Sequence, residues 1–171
     1  MTSTSDLLVD SFVRIREEVV SVLDGLEARY VTWRADPEAN TIAWLVWHLT
    51  RIQDDHVAGA FGVDQLWTRD GWVARFGLPF DPAETGYGQD HAAVGEVDVP
   101  ADVLASYHEA VAERTITVLC GVDDDDLDRI VDDRWDPPVT LAVRLVSVIV
   151  DDLQHLGQAA YIRGLAERAG S

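Results

Sequence analysis

Four stretches of this chain repeat their apolar residues every three or four positions, and its glycines and prolines gather mostly between those stretches. That period places each apolar set along one helical face, so packed helices are what the chain can build. The first stretch runs from Ser5 to Leu26. It carries Leu8, Phe12, Ile15, Val19, Val22, Leu23 and Leu26 on one stripe, with Arg14, Arg16, Glu17 and Glu18 opposite. Asp36-Pro37 breaks the pattern, and Asn40 or Thr41 can cap a second helix through Ala60, apolar at Trp44, Leu45, His48 and Ile52. Asp98-Val99-Pro100 opens a third, with Val103, Leu104, Tyr107, Val111, Ile116 and Leu119, which stops at Gly121. Asp136-Pro137-Pro138 leads to Thr140, a good cap for a fourth helix from Leu141 to Ala169.

Residues 61–99 form a long excursion between the second and third helices, rich in Gly and Pro and anchored by Trp67, Trp72, Phe76, Phe80 and Tyr87. A structureless loop of that length is rare inside a compact domain, so one or two helical turns are expected around Asp64–Phe76. Short extended pieces fit Ile130–Asp132 and Val97–Val99, with no sheet expected. The fold class is therefore all-α: one domain over residues 1–171, a four-helix bundle with one excursion. Residues Leu141–Ile149 are apolar nearly all round, which predicts burial on every side, centrally or against a second subunit. A homodimer is expected on that ground.

Charge removes several function classes. The 171 residues include 13 basic and 31 acidic ones, for a net charge of −18, and every basic residue is an arginine. Such a surface repels phosphate backbones and anionic lipid, so no nucleic-acid or membrane partner is expected. The longest apolar run, Leu141–Val150, is too short to span a bilayer, and Met1–Asp10 lacks the features of a secretory signal. A cytoplasmic location is expected. Cys120 is the single cysteine, read as a buried structural thiol near a helix end.

Against this background, polar residues in apolar helix stretches stand out. His48 sits in Trp44-Leu45-Val46-Trp47-His48-Leu49, and Asp151, Asp152 and His155 follow the apolar run of the fourth helix. Asp151 and His155, four apart, share a helix face, so a carboxylate oxygen and an imidazole nitrogen can approach one ion. His48 would complete three ligands and leave a coordination position open, the catalytic arrangement. The plainer readings are a hydrogen-bonded core histidine and a helix-surface ion pair. His56 lies about 12 Å along the axis from His48, too far to share a metal. His91 and His108 are expected to face solvent. Asp152 is rotated by about 100° from Asp151 and is expected to touch a ligand from behind or to lie on the surface.

Trp47-His48-Leu49-Thr50-Arg51 and Asp151-Asp152-Leu153-Gln154-His155-Leu156-Gly157-Gln158 resemble the DinB-like superfamily, specifically its actinobacterial branch with mycothiol-dependent enzymes. The resemblance covers essentially the whole chain, including Trp135-Asp136-Pro137-Pro138 and Gln158-Ala159-Ala160-Tyr161-Ile162-Arg163-Gly164. It implies an up-up-down-down bundle and a divalent metal, zinc or nickel, held by His48, Asp151 and His155. Many relatives carry histidine where this chain has Asp151; a carboxylate there is similar to the mycothiol-dependent maleylpyruvate isomerase, which uses glutamate. That isomerase's extra C-terminal domain has no counterpart here, so its reaction is not expected.

The activity implied is transfer of a low-molecular-weight thiol, mycothiol, to an electrophile. The metal-bound sulfur would be the nucleophile, without a protein nucleophile. Asp152, Gln158, Asp55, Trp47 and Tyr87 are the residues expected to contact the ligands or line the pocket. The alternatives are a hydrolase using bound hydroxide and a non-catalytic, stress-related metal-binding protein.

Overall fold

A computed structural model describes residues 2–170. The long helices are α1 (Thr4–Leu23), α3 (Ile42–Phe61), α7 (Ala101–Leu119) and α8 (Leu141–Ala169). Short helices fill the connections: α2 (Ala28–Val31), α4 (Leu66–Arg69), α5 (Trp72–Phe76) and α6 (His91–Gly95). The caps are the ones expected from sequence. Thr41 Oγ1 accepts the Trp44 N–H at 3.0 Å, and Thr140 Oγ1 accepts that of Val143 at 3.3 Å. At the far end of α3, Gly62 takes φ 64°, the left-handed conformation that stops a helix.

A small sheet, not expected from sequence, precedes α8. Strand β1 (Ile130–Asp132) pairs antiparallel with β2 (Val139–Thr140). Two residues are too few for an alternating pattern to show. The strand pair is supported by Asp132, whose buried carboxylate accepts from both Arg134 and Arg144 at 2.9 Å.

Helix directions follow from the cross-links. Ser5 Oγ donates to the Leu119 carbonyl and Arg16 pairs with Glu109, so α1 and α7 run antiparallel. Thr50 meets His108 and Gln53 meets Thr115, so α3 and α7 run the same way. Arg129, just before α8, donates to the Ala60 carbonyl at the end of α3, and Arg163 donates to carbonyls of Ser21, Val22 and Asp24 at the end of α1. The order is up-down-down-up, where up-up-down-down was expected. The excursion explains the difference. Because α7 is parallel to α3, the chain must travel back along the whole helix before α7 can start. It does so in contact with α3, a turn at a time: Leu66 and Trp67 sit at Asp54, Glu84 at Arg51, Thr85 at His48 and Gln89 at Trp44.

The core is apolar where the helices meet, with Phe12, Ile15 and Val19 of α1 and Leu141, Leu145 and Val148 of α8. Trp67, Trp72 and Phe76 all pack on the Tyr107 ring and fasten the excursion to α7. Three burial expectations are corrected. His108 is buried, since Leu104 and Val111, one turn to either side, lie on the packed face. Cys120 is exposed, because it caps the end of α7 just before Gly121. The opening of α8 is not central in the bundle: Val143, Val146 and Val150 stand half-exposed on its outer side, which leaves the second-subunit alternative. Among the described residues no helix is long and apolar enough to cross a membrane.

Candidate metal centre

Helix α3 carries His48 and α8 carries Asp151 and His155, and the two helices cross where these side chains meet. One ligand atom from each of the three lies within 4.8 Å of the other two. Asp151 Oδ1 is 3.6 Å from His155 Nε2, as the four-residue spacing on one helix face requires. The imidazoles of His48 and His155 meet edge to face, with centroids 4.7 Å apart. The Trp44 ring, one turn before His48, stacks on it at 4.7 Å and stands at right angles to His155.

Both histidines are oriented from behind. His48 Nδ1 lies 2.6 Å from the Thr85 carbonyl, and a carbonyl only accepts, so Nδ1 carries the proton and Nε2 keeps its lone pair. His155 Nδ1 lies 3.4 Å from Gln158 Oε1, a longer contact of the same kind. Asp151 Oδ2 is buried and has no hydrogen-bond partner among the described residues. An orphaned carboxylate oxygen beside two imidazoles is costly by itself. Two nitrogens and one oxygen with a vacancy suit a divalent cation.

The electrostatics agree with that arrangement. Burial pushes the His48 imidazolium down, although the Thr85 carbonyl and Asp151 oppose it, so the ring is held neutral. Burial would raise Asp151, but its hydrogen bond to His155 and the charges of His155, His48 and His56 leave it below the ordinary carboxylate range. His155 is raised, first by that hydrogen bond to Asp151.

The remaining sequence candidates separate clearly. Asp152 is neither on the surface nor bonded to a ligand: it is fully buried, with both oxygens unpartnered, and burial together with Asp151 raises its carboxyl well above the usual range. It continues the inward stripe of Val148 and Leu156. Gln158 touches His155, as noted above. Asp55 binds Gln65 and His56 rather than a candidate ligand. Trp47 is buried against Trp67 and Phe80 and backs the centre without bonding to it. Tyr87, expected in the pocket, is 91% exposed. Trp44 and the Thr85 carbonyl were not anticipated. Trp44 could have been found, being four residues before His48; a backbone carbonyl leaves no trace in residue type. On the outer side of α8, Val143, Val146, Val150, Asp151 and Gln154 line a shallow groove of about 610 Å³.

A family model described as mycothiol S-transferase matches residues 7–167. The chain belongs to the mycothiol S-transferase family. Among solved structures it is similar to a conserved protein from Enterococcus faecalis, at a TM-score of 0.87 and 28% sequence identity over 95% of this chain and 96% of that one. No curated protein matches it significantly. The triad of His48, Asp151 and His155 is thus found in a chain of the mycothiol S-transferase family.

Proposed function

We propose that the protein is a metal-dependent thiol S-transferase, joining mycothiol to a small electrophile, with His48, Asp151 and His155 as ligands to zinc or nickel. The observation that carries this reading is the convergence of one nitrogen from each imidazole and a carboxylate oxygen of Asp151 within 4.8 Å, with Asp151 Oδ2 left unsatisfied, in a chain of this family. A divalent ion held there would lower the pKa of a bound thiol and so supply a nucleophilic sulfur near neutral pH.

The chain's own residues have defined tasks. Thr85 and Gln158 fix which nitrogen of each imidazole faces the centre. Asp151 contributes the negative charge that offsets a cation, and the stacked Trp44 ring shuts water from one face of His48. The reading needs no protein nucleophile, and among the described residues the single cysteine, Cys120, lies exposed at the end of α7. A cytoplasmic location is part of this proposal. The half-exposed Val143, Val146 and Val150 on α8 support a homodimer through that helix.

Two adjacent aspartates give the test. Asp151→Ala removes a ligand and is expected to cost at least 100-fold in zinc affinity and the thiol-dependent consumption of chlorodinitrobenzene. This is more than the roughly 10- to 100-fold typical of groups behind the ligands. Asp151→Glu should retain metal. Asp152→Ala, pointing into the bundle, should bind metal as the parent does. Full zinc retention in Asp151→Ala would overturn the site, and ester turnover without any thiol would favour the hydrolase instead.

A further inference from the structure

Residues 84–89 lie across the back of the centre as a strap, pinned at successive turns of α3. Arg51 Nε donates to the Glu84 carbonyl at 3.3 Å, and His48 Nδ1 donates to that of Thr85. Trp44 Nε1 donates to Gln89 Oε1 at 2.9 Å, and Gln89 Nε2 closes the loop on Glu84 Oε2 at 2.9 Å. Gly86 sits at the middle of the strap with φ 94°, where side-chain-bearing residues are strained. A Cβ there would lie 2.8 Å from His48 Nδ1, 2.9 Å from Trp47 Cζ3 and 3.3 Å from Trp44 Cζ2. Those atoms belong to the histidine, to the Trp44 ring stacked on it and to Trp47 of the same helix. None can retreat easily, since Trp47 and His48 are buried.

We propose that the strap is the positioning element of the metal centre and that Gly86 is its indispensable contact. The glycine lets the Thr85 carbonyl come close enough to hold His48 in one tautomer and one orientation, with Nε2 toward Asp151 and His155. This rests on the metal reading above, and it adds that the geometry of a ligand on α3 is set by the excursion rather than by α3 itself. A histidine free to rotate about its side-chain bonds pays an ordering cost on binding that a held one does not.

Gly88 supplies the control. It shares the left-handed backbone, at φ 74°, but a Cβ there meets nothing within 4 Å. Gly88→Ala therefore strains the same strap without touching His48. Zinc affinity, read by competition with a chromophoric chelator, is expected to fall about 10- to 100-fold in Gly86→Ala and to change less than about two-fold in Gly88→Ala. A second measurement needs no metal. The ¹⁵N shifts of the His48 ring in the metal-free protein should show protonated Nδ1 in the parent and in Gly88→Ala, and lose that signature in Gly86→Ala. A thermal melt reports whether each variant is folded; should Gly86→Ala not fold, Gln89→Ala, which releases the strap from Trp44 without adding bulk, should show the same direction of change in both readouts. Unchanged affinity and tautomer in the folded variant would overturn the strap while leaving the metal site standing. A parent protein that binds no zinc yet shows the expected tautomer pattern would overturn the site and leave the strap as a device for orienting His48 alone, contrary to the proposal as stated.

Discussion

Between Leu141 and Val150, α8 carries only two polar residues, Arg144 and Ser147, whereas α3 carries His48, Thr50, Arg51, Gln53 and Asp54 in succession; yet α3 is the enclosed helix. All five of those polar side chains are buried, while Val143, Val146 and Val150 of α8 stand in the open. Burial here follows from what is laid over a helix, not from its composition. The excursion covers the outer side of α3 and gives its polar groups partners, for Arg51 reaches Gln65 and Asp54 accepts from the backbone of Leu66 and Trp67, while α7 adds Tyr107 and Arg114 to Asp54. Nothing in the described chain covers the outer side of α8. Polarity on the enclosed helix is answered by partners inside the fold, and the apolar open side of α8 is the ground for the proposed homodimer.

The sharpest way to break this contrast is to remove the group that joins α3 to its cover. Asp54→Ala strands the Arg114 guanidinium, 2.6 Å away, and the buried Arg51, and it uncaps two backbone amides. Losing one partner of a buried ion pair costs about 3–5 kcal/mol. Urea unfolding should show that loss as a lower midpoint at similar slope. A cost under about 1 kcal/mol would mean the cover is held by the aromatic cluster alone.

A pH series probes the same enclosure next to Thr50. Burial depresses His108 from 6.5 to about 4. Between those values the unfolded chain takes up a proton that the folded chain refuses, so stability falls as pH drops through that window. The loss is complete near the lower value, at roughly 3 kcal/mol. His108→Gln should flatten this part of the stability profile relative to the parent. Identical profiles would show that the ring is hydrated rather than enclosed.

The smallest effect on the monomer is expected on the open side. Val146→Glu changes a half-exposed residue of α8 and should alter unfolding by no more than about 0.5 kcal/mol. Its consequence should appear in sedimentation, as a dimer converted to a monomer. A parent protein that sediments only as a monomer would leave the α8 strip as simple exposed surface.

The boundaries of α3 and α8 were legible because Thr41 and Thr140 are side-chain caps placed just before apolar periodicity. The triad was legible for a related reason: the four-residue step from Asp151 to His155 fixes a face, and an imidazole amid Trp and Leu must find a polar neighbour. Burial was harder. Val148, Asp152, Leu156 and Ala159 form one inward stripe that could have placed Asp152 from sequence. His108 was hidden by polar Ser106 and Glu109 beside it. Helix directions could not be read from periodicity, which is blind to polarity along an axis. The strap was invisible because its decisive atoms are a carbonyl oxygen at Thr85 and the missing Cβ of Gly86.

The triad joins parts of the chain that are far apart in sequence, from α3 near the first quarter and from α8 near the end. No fragment lacking either helix can assemble it, and it dissolves whenever α8 peels away. An ion held there would therefore act as a clasp on the finished fold. At a free concentration one hundred times its dissociation constant it would add about 2.7 kcal/mol to stability. Supply of the ion would then govern how long each molecule survives a protease, quite apart from how fast it turns over.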